Sequence, residues 1–415
     1  MSVRYAIIKK SLDLPLPIYL SGYSDRQQPA TAIHDPLNIS CFYLSTAEKE
    51  VAVFGLDILG IYDGYYEKLT KAVTDAVARP NLAVVFSSAH THSAPGFDHF
   101  RSHQDLHRQE FLQEIIAKAT MILQEAPQLA QPATLSYFEK PLDNVGANRR
   151  NKNVKVNTVL RTLNFNFADK KAVIVNFNCH PTHMSAKNLL ISKDYQGAAM
   201  DELETQGYLP MFLQGACGDV STRFTRKEQT FEDMARIAHI FAEEIKTAQP
   251  GMPLEITDFD YREYNFEIPK KQYQTPEFYR QEIAKYQKKL EDNRGTMAAA
   301  DLRLYETALQ GIQVESQYAE FQDKIVTAVR CGILRLGQQA ALVFLPFELF
   351  SKIADQITAA AKIPFTMIIG YSFDGLGYLP DLASFDQSGY EVLSCTYQKG
   401  AGETVADKVS ELLNN

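Results

Sequence analysis

A chain of 415 residues, 45% hydrophobic and 22% charged, can build a large core and is too apolar for wholesale disorder. A formal net charge of -8 with no dense Lys/Arg patch argues against a nucleic-acid partner. No apolar run approaches the ~18–20 residues of a membrane helix, and Met1–Lys10 does not read as a secretory signal. With five cysteines, an odd number and no CxxC pair, the expectation is a cytoplasmic protein with reduced thiols.

Alternation and turn residues predict strands at Cys41–Ser45 and Glu50–Leu56, the second ending at Asp57. A helix over Tyr62–Ala78 follows, with Asp63 as its expected N-cap. The apolar run Leu82–Ser87 leads into His90-Thr91-His92-Ser93-Ala94-Pro95-Gly96, then a helix over Arg108–Glu125. Strands are predicted at Ala133–Phe138, Val156–Phe167 and Ala172–Phe177, the last running into Asn178-Cys179-His180-Pro181-Thr182-His183. A helix at Asp194–Gln206, a strand at Leu209–Leu213, the small-residue loop Gln214–Ser221 and a helix at Thr230–Thr247 come next.

Thr275–Asp292 and Met297–Glu315 read as two helices joined by Asn293-Arg294-Gly295. They form a hairpin inserted between strands Leu254–Ile268 and Lys324–Leu336, either a lid or a solvated excursion. The strand Ala340–Leu345 enters Pro346-Phe347-Glu348 and a helix to Lys362. Phe365–Ile369 leads to a Gly/Tyr-rich loop, and a helix at Glu403–Leu413 closes the chain. The expected fold class is α/β: a mixed β-sheet core covered by helices, with the inserted hairpin, in one elaborate domain over residues 1–415.

Four of the nine histidines lie just past two strand ends, where α/β proteins collect ligands and catalysis. In His90-Thr91-His92 the i and i+2 side chains leave a strand end on one side, so both imidazoles can face one cavity. His180 is held away from helix by Pro181, which suits a fixed ligand, whereas His183 reads as a supporting or surface residue. Gln214, Asp219 and Ser221 can present donors to an oxyanion or orient a ligand histidine. Glu348 and Asp57, each past an apolar strand, are further candidate metal ligands. The plainer readings are loop histidines, a tight turn with Asp219 capping the next helix, and a helix N-terminal cap for Glu348.

Taken in order, HTHSAPG, NCHPTHM followed by ISKDYQG, and QGACGDVS resemble the neutral, non-lysosomal ceramidase family. LSGY, IHDPL and GLDILG near the amino terminus add to the resemblance. It implies one Zn2+ per chain and hydrolysis of the amide of an N-acyl sphingoid base by a zinc-activated water. By motif, His90, His180, Glu348 and Tyr378 would be the metal ligands. His92 would contact substrate or carry protons, Arg149 would lie near the reacting carbonyl, and Tyr390 would be a second active-site tyrosine. The chain departs from the family pattern at Ala94, at Lys193, at Thr222-Arg223, and through much of Tyr371–Tyr378. The implied partner is therefore a small-molecule N-acyl amide, lipid or not, and the oligomeric state is left open. Two alternatives stand beside it. One is a binuclear phosphoesterase or cyclic amidohydrolase using Asp57, although Asp98 comes too late for an HxHxDH spacing. The other is a non-catalytic ligand-binding member.

Overall fold

Three separate β-sheets make the core of the computed structural model, which describes residues 3–97, 107–248, 251–293, 295–297, 299–321, 325–387 and 389–415. Asp98, Arg294 and Lys324, invoked above, lie outside the described residues. The first sheet runs Arg4–Ser11, Asn38–Ser45, Glu50–Leu56, Leu82–Ser88. The second runs Tyr208–Gln214, Lys171–Phe177, Val159–Asn166, Thr134–Pro141, Met252–Leu254. The third runs Phe259–Pro269, Val326–Leu336, Ala340–Phe344, Phe365–Ile369.

Each sheet is mixed in the same way. Antiparallel neighbours make most of it, and one edge is a parallel pair: Glu50–Leu56 with Leu82–Ser88, Lys171–Phe177 with Tyr208–Gln214, and Ala340–Phe344 with Phe365–Ile369. The central strands of these pairs are buried on both faces, which explains their unbroken Val/Ile/Phe/Leu runs. The mixed core expected from the sequence is thus split into three units, each with its own meander.

The three parallel pairs point their carboxyl ends at one another. Ser88 donates its amide to Tyr371 O at 3.0 Å, and Phe373 to Phe86 O at 3.2 Å, joining the first sheet to the third. Gly370 N reaches Gln214 O at 3.0 Å, and the buried Asn176 amide bridges Leu213 O and Ile368 O, joining the second to the third. Every loop that carries a candidate site residue leaves from this junction.

Helices cover the outer faces. Tyr65–Val77 and Arg108–Leu129 pack on the first sheet, Asp194–Thr205 and Phe231–Lys246 on the second, Ser351–Ala360 and Ala401–Asn414 on the third. The helix predicted over Tyr62–Ala78 begins at Tyr65 instead. Asp63 sits at φ 62 outside it, and Asp374 from the far end of the chain accepts the Tyr66 amide at 3.2 Å. The inserted hairpin forms as Pro276–Asn293 and Ala299–Phe321, and its second helix packs on the short helix Tyr390–Leu393. Gln310 on that helix reaches Asp25 at 3.4 Å. No helix among the described residues is long and apolar enough to cross a membrane.

Candidate metal centre and active site

His90 leaves the first sheet with φ 64, a left-handed conformation that a non-glycine residue holds only when its surroundings fix it. They do. Its amide donates to Ile58 O at 2.9 Å, and its ring Nδ1 lies 2.7 Å from Leu59 O. His180 leaves the second sheet fully buried, its amide donating to Val220 O and its Nδ1 3.1 Å from Cys217 O. In both rings Nδ1 must carry the proton to satisfy a carbonyl, which leaves the Nε2 lone pair free.

The free nitrogens converge. Oε2 of Glu348, from the third sheet, lies 3.4 Å from His90 Nε2 and 3.6 Å from His180 Nε2. His92 Nε2 is 3.3 Å from His90 Nε2, and the three imidazoles form one buried group. His180 Nε2 has no hydrogen-bond partner among the described residues. An orphaned buried nitrogen costs about 1–3 kcal/mol, so its presence asks for an occupant. Donor atoms on a tetrahedral zinc with 2.0–2.1 Å bonds sit about 3.3–3.4 Å apart, and Glu348 Oε2 lies close to that range from both nitrogens, at 3.4 and 3.6 Å. Imidazole nitrogens with a carboxylate oxygen are zinc's usual ligands, so the residues present fit the ion.

Glu348 lies in a two-residue bridge with Tyr378, three residues before the helix Ser351–Ala360, so it is not that helix's cap. Burial alone would raise its carboxyl, but His90, Arg149 and Tyr378 outweigh that and hold it below the ordinary carboxylate range. Burial, followed by Arg149 and the neighbouring histidines, pushes His180 well below the usual imidazole value. Burial and His90 do the same to His92, so both stay neutral at pH 7. Gly22, at φ +92, backs directly on the His92 ring. A Cβ there would fall 2.4 Å from Nδ1, so glycine lets the backbone approach this closely.

A second cluster flanks the first. Arg149 donates to the Tyr378 hydroxyl at 2.9 Å and pairs with Glu391 at 2.9 Å, while Arg150 lies 3.6 Å from the other Glu391 oxygen. Burial opposes the Arg149 charge, but Tyr378, Glu391 and Glu348 more than compensate and keep it a guanidinium. Tyr390 meets Tyr378 edge to face at 5.9 Å, and burial pushes its phenol up to about 12. A cavity of about 10 Å³, room for one water, borders Tyr62, Glu348, Tyr371 and Gly377.

The remaining candidates surround this centre without entering it. Gln214 Nε2 donates to Ala89 O and Cys179 O, each at 3.2 Å, clamping the two residues that precede His90 and His180. Asp219 accepts the Ser351 amide at 2.7 Å and its hydroxyl at 2.8 Å. It therefore caps a helix, though not the next one in sequence. Ser221 Oγ accepts the Arg223 amide and caps the turn Thr222–Phe224. His183 is buried 3.5 Å from Asp233, away from the three imidazoles. Asp57 turns to the backbone amide of Asn38 at 2.9 Å.

Sequence reasoning missed Tyr371, Glu391 and Gly22. Tyr371 follows a buried parallel strand as His90 and His180 do, and that position was the available signal.

Solved structures resemble this fold. Neutral ceramidase from Pseudomonas aeruginosa aligns with a TM-score of 0.73 at 18% identity, covering 99% of this chain and 74% of that one. A ceramidase complexed with C2 aligns at 0.72 and 17% identity, covering 99% and 75%. No curated protein matches the sequence. The family model for the neutral/alkaline non-lysosomal ceramidase amino-terminal region matches residues 15–290, more than half of the chain. The chain belongs to the neutral/alkaline non-lysosomal ceramidase family.

Proposed function

We propose that the protein is a zinc-dependent hydrolase of a linear N-acyl amide, acting on a small-molecule substrate of which lipid amides such as ceramides are the first to try. Membership of the family implies a hydrolase acting on an amide bond. The observation that carries metal dependence is the meeting of two imidazole Nε2 atoms with one carboxylate oxygen, one from each sheet. His90, His180 and Glu348 would hold one zinc per chain, with the Tyr378 hydroxyl as fourth donor. When bound, zinc supplies Lewis acidity toward a carbonyl and brings the acidity of water there to near-neutral pH.

This chain's own residues supply the rest. Arg149, kept charged by Glu391, offers positive charge where negative charge develops on the carbonyl oxygen. Tyr390, facing Tyr378, orients the acyl group. His92, neutral and next to His90, accepts a proton from water and passes it to the amine nitrogen as the C–N bond breaks, giving a carboxylate and a free amine. Gln214, Asp219 and Ser221 hold the loops in place. The binuclear alternative, with Asp57, the HxH pair and His180 as ligands, is weakened because Asp57 is turned to the Asn38 amide.

We take residues 1–415 as one catalytic domain. The five cysteines are all buried and unpaired, which supports a reducing, cytoplasmic setting. The test is elemental analysis of untagged protein and of His90→Ala/His180→Ala, with release of amine from an N-acyl panel that begins with ceramides. One zinc per chain, lost with activity in the double variant, is expected. Full hydrolysis by the double variant would sink the reading.

A further inference from the structure

We infer that Tyr371 is a positioning residue of the metal centre, holding His90 and Glu348 in place through both its ring and its hydroxyl; this rests on the metal reading above. Its ring stacks on the His90 imidazole with centroids 4.0 Å apart and planes 27° from parallel, and meets His180 edge-on at 6.2 Å. Its hydroxyl reaches Glu348 Oε2 at 3.4 Å, the same oxygen that faces the two histidine nitrogens. The hydroxyl also lies 3.0 Å from Cys217 Sγ, which in turn is 3.4 Å from His180 Nδ1. One side chain therefore touches two of the ligand residues closely and reaches the third through a thiol.

The backbone repeats the pattern. The Tyr371 amide donates to Phe347 O at 3.3 Å, and its carbonyl accepts the Ser88 amide at 3.0 Å. Phe347 immediately precedes Glu348, and Ser88 lies two residues before His90. Tyr371 sits at φ 52, where a bulky residue is disfavoured by about 1–3 kcal/mol, and such strain clusters at functional sites.

A plain packing role would account for the ring but not for the hydroxyl. Phenylalanine would fill the same space, and a buried phenol needs partners. Both partners it has belong to the site. A ligating carboxylate fixed by a neighbouring donor is a usual device for tuning metal affinity, and losing such a donor weakens binding by about 10–100-fold.

The test is zinc affinity of metal-free protein, measured by competition with a chromophoric chelator, alongside the melting temperature of the metal-free form. Tyr371→Phe keeps the ring and loses the hydroxyl. It is expected to raise the zinc Kd by about 10–100-fold while leaving the metal-free melting temperature at the wild-type value. Tyr371→Asn, whose side chain suits a left-handed backbone, keeps the fold accessible and is expected to weaken zinc at least as much. Wild-type affinity in either variant overturns the assignment while leaving the metal site standing. A wild-type protein that takes up no zinc overturns both, and the chelator competition on wild type separates the two failures.

Discussion

Asp219 grips Ser351 twice, taking its amide on one carboxylate oxygen at 2.7 Å and its hydroxyl on the other at 2.8 Å. Gly218 adds its own amide to Leu349 O at 2.7 Å, and a Cβ on Gly218 would strike Glu348 O at 2.5 Å. The loop after one sheet is therefore the mould for the carboxylate that leaves another. Asp219→Ala should cost about 1–2 kcal/mol through the lost cap, read by urea unfolding of the metal-free protein. It should also weaken zinc about tenfold or more, since Ser351, which Asp219 holds, lies three residues after Glu348. Unchanged zinc affinity would limit Asp219 to capping.

Gln214 is the corresponding clamp between the two histidine loops. Replacing it with leucine strands the buried Ala89 carbonyl, at about 1–3 kcal/mol for a group left unpaired, while Cys179 O keeps the Tyr195 hydroxyl at 2.8 Å. Gln214→Glu should do worse, because it turns a donor into a third acceptor at the same point. Chemical denaturation of the three proteins ranks them wild type, leucine, glutamate, and a glutamate variant as stable as wild type would refute the clamp.

Glu391 separates two guanidinium groups that would otherwise repel each other. Glu391→Gln should lower kcat/KM for the best N-acyl substrate by about tenfold or more, because Arg149 loses its fixed direction. Adding Arg149→Lys to that variant should cost less than it does in wild type. Additive losses in the steady-state kinetics would separate the two residues.

His183 makes a statement about pH. Burial lowers its folded pKa to about 4, against an ordinary 6.5, with Asp233 only partly opposing this. The unfolded chain therefore binds a proton between these values that the folded chain refuses. Stability from this residue is full above pH 6.5 and is lost as pH falls toward 4, by up to about 3 kcal/mol. Burial would raise Asp233, but Arg236 and the Glu228 and Lys227 amides together outweigh it and hold the carboxyl down to about 2, so it stays charged throughout that window. His183→Gln should flatten the pH 4–6.5 limb of a denaturation series relative to wild type. A parallel slope would mean that another group titrates there.

Much of the centre could be read from the chain because each element is local: an apolar strand, then a small-residue loop carrying His90, His180 or Glu348. What could not be read is how the strands partition. Periodicity marks a strand as buried but does not name its partner, so three mixed sheets and one look alike in sequence. The helix start shows the same limit. Asp63 has the residue type of a cap, yet Asp374, more than three hundred positions away, takes the Tyr66 amide. Tyr371 and Glu391 escaped notice because their meaning lies in a bond to a residue from another sheet.

The meeting of three sheet edges at one point has a consequence for how the protein is held together. His90, His180 and Glu348 hang from units with separate hydrogen-bond ladders, joined at the junction by a few bonds such as Ser88 N to Tyr371 O and Gly370 N to Gln214 O, so an ion gripping all three would be a rivet through three plates. It would add nothing to any single sheet's pairing, yet it would oppose every motion that slides one sheet past another. Amides at the junction, Ser88, Gly370 and Gly215 among them, should then gain protection from hydrogen exchange together on zinc addition, while the distal strand ends exchange as before.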